Sequence, residues 1–227
     1  MVMALDPRKR QKKLQRRKAK QKAKKKGTAL GNFSPLGQQM VLAEKAPILH
    51  CCAADSLWDE GIGNVLISRA RGAEVAFGMF LVDMYCLGVK NAFFNVVSRS
   101  DYDFKIFEQA FRGEHVDLSP ECGRNLVEGA VHYARDLGFP PHRDYRQAKR
   151  IFGDIDATQC QQQFVFGKDG QPMFIAGPND GAMRCRQIID TLAARCGPDS
   201  FHFTMPGAAV GAYLDDDVLY FGPPDDL

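Results

Sequence analysis

The sequence has no run of about 18 uncharged apolar residues, which is the length that a membrane-spanning helix needs. Its most apolar stretch, residues 75–94, is interrupted by Asp83 and Lys90. No apolar segment follows the basic residues near the N-terminus, so the pattern of a secretory signal peptide is missing as well. The sequence therefore predicts a protein that does not enter membranes and that works in the cytoplasm, or in the nucleus if the source is eukaryotic.

The usual metal-ligand spacings are also missing. None of the seven cysteines forms a CxxC pair, and none of the five histidines lies four residues from another. An odd number of scattered cysteines in a long chain argues against a disulfide framework, so we expect most thiols to be small buried hydrophobic groups. No glycine-rich phosphate loop follows a predicted strand. The sequence predicts no metal and no cofactor.

Acidic residues are absent from residues 8–26, where thirteen of nineteen residues are Lys or Arg. Outside residues 1–26 the balance reverses, because seventeen basic residues remain against twenty-six acidic ones. The basic run contains a single large apolar residue, Leu14, and so cannot bury a hydrophobic face. We expect residues 1–33 to form a disordered basic arm that joins an acidic body.

A cationic run of this density binds polyanions by releasing condensed counterions. It has no aromatic side chains to stack on bases and few groups that read base edges, so we expect binding to be nearly independent of sequence. The sequence thus predicts a nucleic-acid-associated protein, with RNA or the ribosome favoured over DNA. The run could instead be a targeting signal, or a tail that only raises solubility. The predicted nucleic-acid-binding residues are Arg8, Lys9, Arg10, Lys12, Lys13, Arg16, Arg17, Lys18, Lys20, Lys22, Lys24, Lys25 and Lys26.

Hydrophobic patterning predicts a single α+β domain at residues 34–205, followed by an acidic tail rich in Gly and Pro at residues 206–227. Strand-like runs at 64–69 and 75–85 predict one β-hairpin, and the Asp169-Gly170 turn between apolar runs predicts a second at 163–176. Caps, apolar stripes and glycine stops predict about five helices, which begin at Ser34, Ser100, Ser119, Asp144 and Asn179 or Asp180.

Three polar groups inside the most apolar stretch predict an alternative function. Asp83, Cys86 and Lys90 could form a reactive site, because an ammonium beside a thiol lowers its pKa and favours the nucleophilic thiolate. On an extended strand Asp83 and Cys86 point to opposite faces, so the three converge only if the chain bends, as it could at Gly88. As a reactive site, the three residues would indicate a small intracellular enzyme. A strand-end Asp, a core Cys and a surface Lys explain the same residues and are the favoured interpretation. A third alternative is a protein-interaction adaptor whose acidic body meets a basic partner.

Overall fold

The computed structural model describes residues 44–111, 114–177 and 180–204. The predicted arm at 1–33, the predicted helix at Ser34 and the predicted tail at 206–227 lie outside these residues. In the part of the chain that the structure describes, a five-stranded antiparallel sheet is combined with five helices, which confirms the α+β class.

The sheet consists of one long meander and one short edge strand. Its strand order is β4-β3-β2-β1-β5, and every neighbouring pair is antiparallel. The predicted hairpin at 64–85 is confirmed as β2 and β3. The patterning does not resolve β4, because its first half continues the apolar run of β3. The strands are β1 (Ile48–Ala54), β2 (Ile62–Arg71), β3 (Glu74–Asp83), β4 (Gly88–Ser98) and β5 (His115–Asp117).

Of the five helices, four begin close to the predicted positions and one, Ser56–Asp59, corresponds to no predicted helix. They are α1 (Ser56–Asp59), α2 (residues 99–110, with a π-helical middle at Tyr102–Phe107), α3 (Pro120–Asp136), α4 (Tyr145–Ala148, continued by a 3-10 turn at Lys149–Phe152) and α5 (Ala182–Cys196). The predicted start of α3 is confirmed, since the Ser119 hydroxyl accepts a hydrogen bond from the Cys122 N–H and Pro120 is the first helical residue.

Three predicted caps are wrong in detail. Ser98 caps α2 in place of Ser100, because β4 extends to Ser98 and the helix follows without a loop. Asp144 precedes α4 as predicted, but its side chain makes no capping hydrogen bond. Gly181 is the N-cap of α5, whereas the Asp180 carboxylate accepts a hydrogen bond from the backbone further upstream. The other predicted cap for α5, Asn179, lies outside the described residues.

The second predicted hairpin is reduced to a tight turn. Lys168 and Gln171 form one isolated antiparallel bridge around this turn. The preceding segment joins no strand, because Phe164 and Phe166 pack against the core instead. The following strand, β6 (Met173–Ile175), pairs in parallel with β7 (His202–Thr204).

Apolar side chains are buried in three clusters around the sheet. The largest lies between one sheet face and α3 with α4, and a second lies between the opposite face and α2. A third cluster forms where α5, β6 and β7 pack around the turn between β3 and β4. The C-terminal elements are therefore attached to the sheet mainly at this turn.

Two of the seven cysteines depart from the expected pattern of free buried thiols. Cys122 and Cys160 form a disulfide, which links α3 to the loop after the 3-10 turn at Ala157–Gln159. The other five cysteines are free, and four of them are buried as predicted. Among the described residues, no helix has the length and apolar character needed to cross a membrane.

Candidate functional site

The predicted reactive residues lie at one end of the sheet, because the chain reverses between Asp83 and Gly88. Gly88 has a φ of +64°, a conformation that favours glycine. A Cβ atom there would lie 2.7 Å from the carbonyl oxygen of Ala130, so a side chain would collide with α3. The predicted bend at Gly88 is confirmed, and it places Cys86 and Lys90 close to Asp83.

A β-bulge sets the position of Lys90. Val82 pairs with Val89, whereas the preceding Leu81 pairs with Asn91, so Lys90 is the extra residue of β4. A bulge changes the direction of the side chain it carries. The Lys90 side chain is only 16% exposed although it sits in an edge strand.

The Asp83 carboxylate stabilises the turn that follows it. Its Oδ1 accepts hydrogen bonds from the backbone N–H groups of Tyr85, at 3.0 Å, and Cys86, at 2.9 Å. Burial raises the pKa of Asp83, and the positive charge of Lys90 and the backbone N–H groups oppose this shift only in part. Asp83 is thus a buried acceptor at a strand end, with a carboxyl that is harder to ionise than an exposed one.

Lys90 connects this turn to α5 through Asp180. The Lys90 Nζ lies 3.8 Å from the Asp180 Oδ2, and the Arg184 Nε lies 2.8 Å from the Asp180 Oδ1. Asp180 Oδ2 also accepts a hydrogen bond from the Gly177 N–H at 2.9 Å. Lys90 is therefore a mostly buried cation that lies beside the Asp180 carboxylate and whose charge also acts on the buried Asp83.

The Cys86 thiol is neither exposed nor easily ionised, in contrast to a nucleophilic thiol. Its side chain is fully buried in the apolar cluster around α5. Burial raises the pKa of Cys86, the negative charge of Asp83 raises it further, and the charge of Lys90 offsets little of the shift. Reactive cysteines need a lowered pKa and access to solvent. Asp83, Cys86 and Lys90 thus form a buried electrostatic cluster, to which the structure adds Asp180.

Clefts open elsewhere on the described surface. One of about 640 Å³ lies between β2 and the end of α2, and one of about 410 Å³ lies between α3 and the 3-10 turn after α4. A third of about 340 Å³ lies beside the Trp58 ring. Asp83, Cys86 and Lys90 line none of these three clefts. Their catalytic role stays a prediction, and no cleft among these three supports it.

A second buried polar group joins β1, β2 and α2. The Tyr102 hydroxyl donates a hydrogen bond to the Ser68 Oγ at 2.8 Å and lies 2.9 Å from the His50 Nδ1. The His50 ring packs on Phe107, with ring centroids 4.4 Å apart. Burial lowers the pKa of His50, and the positive charge of Arg99 lowers it further. His50 is therefore kept neutral over a wider pH range than an exposed histidine.

Sequence reasoning missed this group because its members are far apart in the chain. The only local signal is the serine in the apolar β2 strand, since a buried hydroxyl requires a partner. Ser68 and Tyr102 are both fully buried, so the group stabilises the packing of α2 on the sheet. It presents no exposed nucleophile.

Arg69 is a third polar feature of the core. Its guanidinium donates to the carbonyl oxygens of Ala46, Ile151 and Phe152 at 2.6–2.8 Å. It also lies 3.3 Å from a carboxylate oxygen of Asp154, which is itself 80% exposed. Arg69 therefore satisfies backbone groups at the end of the 3-10 turn after α4 and holds this turn against β2.

The thirteen predicted nucleic-acid-binding residues lie outside the described residues. Within the ranges that the structure describes, no three or more His, Cys, Asp or Glu side chains are placed to hold a metal ion. The geometry defines an α+β protein whose buried polar groups stabilise the fold. Comparison of the chain with protein-family models, curated proteins and solved structures finds no match.

Proposed function

We propose that this protein associates with nucleic acid through the cations of residues 8–26, and that its partner is RNA or the ribosome in preference to DNA. The observation that carries the proposal is charge density, since thirteen of nineteen residues are basic and none is acidic. Such a run binds a phosphate backbone because it releases condensed counterions. RNA is preferred because a cytoplasmic protein meets RNA and ribosomes more often than DNA.

The charge of the rest of the chain supports a specific role for this run. Outside residues 1–26, seventeen basic residues stand against twenty-six acidic ones, so this larger part of the chain has a net negative charge that does not attract polyanions. Affinity should therefore depend on the arm. The described fold would carry the arm and supply a separate role.

The test is a titration of fluorescein-labelled, unstructured RNA of about 30 nucleotides with the full-length chain. Fluorescence anisotropy measures the binding constant at KCl concentrations from about 50 to about 300 mM. If all thirteen cations contact phosphates of a single strand, log K should fall linearly with log salt, with a slope of about −9. Duplex DNA of the same length serves as the competitor. Cosedimentation with ribosomes at the same salt concentrations tests the ribosomal partner.

Two full-length variants give matched controls. In the first, the thirteen Lys and Arg residues of 8–26 are replaced by Gln, and we expect affinity at low salt to fall by at least about 100-fold. In the second, the order of residues 8–26 is reversed, and binding should persist because charge and not sequence supports it. Equal affinity of the neutral-arm variant and the natural chain would contradict the proposal and leave a targeting or solubility role.

A further inference from the structure

Exposed cations collect on one surface of the body, where α3 and α4 meet. Arg135 on α3, Arg146 on α4 and Lys149 in the following 3-10 turn are all exposed. Two of them lie near the buried ring of Tyr145, since the Lys149 Nζ is 5.8 Å from its centroid and the charge of Arg135 acts on its hydroxyl; Arg146 follows Tyr145 in the chain. Burial raises the pKa of Tyr145 to about 12, the negative charge of Glu128 raises it further, and the charges of Arg135 and Arg124 oppose this shift. These three cations are called the α3–α4 basic surface.

The members of this surface differ from most other cations of the body in having no acidic partner. Among the described residues, Arg99, Lys105, Arg150 and Arg184 each pair with a carboxylate at 2.6–2.9 Å. No carboxylate of the described residues lies within 4 Å of the side-chain nitrogens of the α3–α4 basic surface. No ion pair within 4 Å with a described residue therefore neutralises these three cations, although Glu44, Glu128 and Asp154 line the cleft that Lys149 shares.

The described chain begins beside this surface. The Glu44 carboxylate accepts a hydrogen bond from the Arg150 Nε at 2.7 Å, and Glu44 and Lys45 line the same cleft of about 410 Å³ as Lys149. Residues 27–43, which join the basic arm to Glu44, can span at most about 55–60 Å when extended. The described chain thus begins on the side of the body that carries Lys149.

We propose that the α3–α4 basic surface is a second contact for the phosphate backbone of the RNA that the arm binds, an inference that rests on the proposed function. One strand can touch both sites, because residues 27–43 join the arm to Glu44, which lines the same cleft as Lys149. The surface contacts phosphates and not bases, since its one aromatic ring, Tyr145, is only 5% exposed. An RNA long enough to reach the body should therefore bind more tightly than one that covers the arm alone.

The test compares two full-length variants that lose the same charge. In one, Arg135, Arg146 and Lys149 are replaced by Gln. In the matched control, the replaced residues are three exposed cations elsewhere on the body, Arg71, Lys168 and Arg186. All six sites are exposed, and thermal unfolding verifies that both variants fold.

With fluorescein-labelled oligo(U) of about 30 nucleotides, removal of three phosphate contacts should weaken binding at least about tenfold near 100 mM KCl and reduce the salt slope by about 2. The affinity of the matched control variant should remain within about twofold of that of the natural chain. If the two variants bind RNA with equal affinity, the inference of a second contact is wrong, and the proposal that the arm binds RNA is unaffected. Absence of RNA binding by the natural chain overturns the arm proposal itself.

A measurement on the natural chain requires no substitution. Acetylation by a lysine-specific reagent, read by mass spectrometry, should show that saturating oligo(U) protects Lys149 at least about threefold while exposed Lys168 reacts as before. Equal reactivity of Lys149 with and without RNA overturns the inference. If an acidic protein partner protects Lys149 and RNA does not, the surface is a protein-binding site and the inference is wrong.

Discussion

At the scale of single residues, Arg69 shows how a buried charge can stabilise a fold through backbone groups. It is 3% exposed, and its guanidinium donates to three carbonyl oxygens, two at the end of a helical turn (Ile151 and Phe152) and one before β1 (Ala46). A guanidinium can do this because its donors form a fixed planar fork, whereas an ammonium is a single point of charge.

We therefore expect Arg69→Lys to destabilise the protein although it keeps the charge. The lysine leaves buried carbonyl groups without donors, which should reduce the free energy of unfolding by about 2–4 kcal/mol. Urea unfolding measures the change. Arg71→Lys, at an exposed site two residues along the same strand, should change it by less than about 0.5 kcal/mol. Similar losses at both sites would contradict this role for Arg69.

His50 predicts how stability depends on pH. Its pKa is lower in the fold than in the unfolded chain, mainly because of burial, so protonation favours unfolding. Its contribution to stability is present above the unfolded pKa of about 6.5 and is lost as the pH falls below that value. We expect the melting temperature to fall less between about pH 7 and pH 5 in His50→Asn than in the natural chain. If the melting temperatures of the two proteins fall by the same amount over this pH range, His50 has no such effect.

At the scale of elements, the β3–β4 turn is the place where the C-terminal elements join the sheet. The cluster of Asp83, Lys90 and Asp180 lies at this junction and is almost removed from solvent. Loss of one partner of a buried ion pair costs more than the pair itself contributes, because the other charge remains buried.

Lys90→Met should thus lower the free energy of unfolding by about 2–4 kcal/mol. Burial raises the pKa of Asp83, and without Lys90 nothing of comparable charge opposes that shift. A group with a raised folded pKa loses its stabilising contribution as the pH rises, so the defect should be greater at about pH 8 than at about pH 5. Urea unfolding at both pH values measures it, and exposed Lys168→Met is the control. A defect independent of pH would argue against electrostatic coupling to Asp83.

The Cys122–Cys160 disulfide gives a second prediction at this scale. It closes a segment of 38 residues, so reduction should lower the free energy of unfolding by about 2–4 kcal/mol. The urea midpoint with and without dithiothreitol measures the effect. The double variant Cys122→Ser/Cys160→Ser should not respond to the reductant. A titration of the denatured, unreduced chain that finds seven free thiols in place of five would contradict the bond.

At the scale of the whole molecule, positive charge is concentrated at the start of the chain and negative charge near its end. The C-terminal segment contains Asp215, Asp216 and Asp217, and the basic run occupies residues 8–26. Opposite charges on one chain compete with an external polyanion, and salt screens this competition.

We expect replacement of Asp215, Asp216 and Asp217 by Asn to tighten RNA binding a few-fold near 50 mM KCl and to have little effect near 300 mM. Anisotropy with labelled oligo(U) measures both values. Replacement of three other aspartates that are exposed on the body, Asp59, Asp117 and Asp190, removes the same charge and should change affinity less. Equal effects of the two variants would show that only net charge matters.

The sequence by itself determined the features that depend on neighbouring residues. The Ser119-Pro120 start of α3 and the turn between β2 and β3 follow from local conformational preference, and the basic run follows from composition. Features that depend on distant residues could not be predicted in this way. Ser68 meets Tyr102 across 34 residues and Lys90 meets Asp180 across 90, and neither pairing leaves a signal in local periodicity.

The tertiary structure alone decided what the buried polar residues do. Asp83, Cys86 and Lys90 had the residue types of a reactive site, but burial raises the pKa of the thiol and leaves the lysine beside the Asp180 carboxylate. Burial is a property of the packed core, where several distant segments must converge before water is excluded. The same convergence brings Arg135 of α3 and Lys149 of the 3-10 turn near the Tyr145 ring, a neighbourhood that only the fold shows.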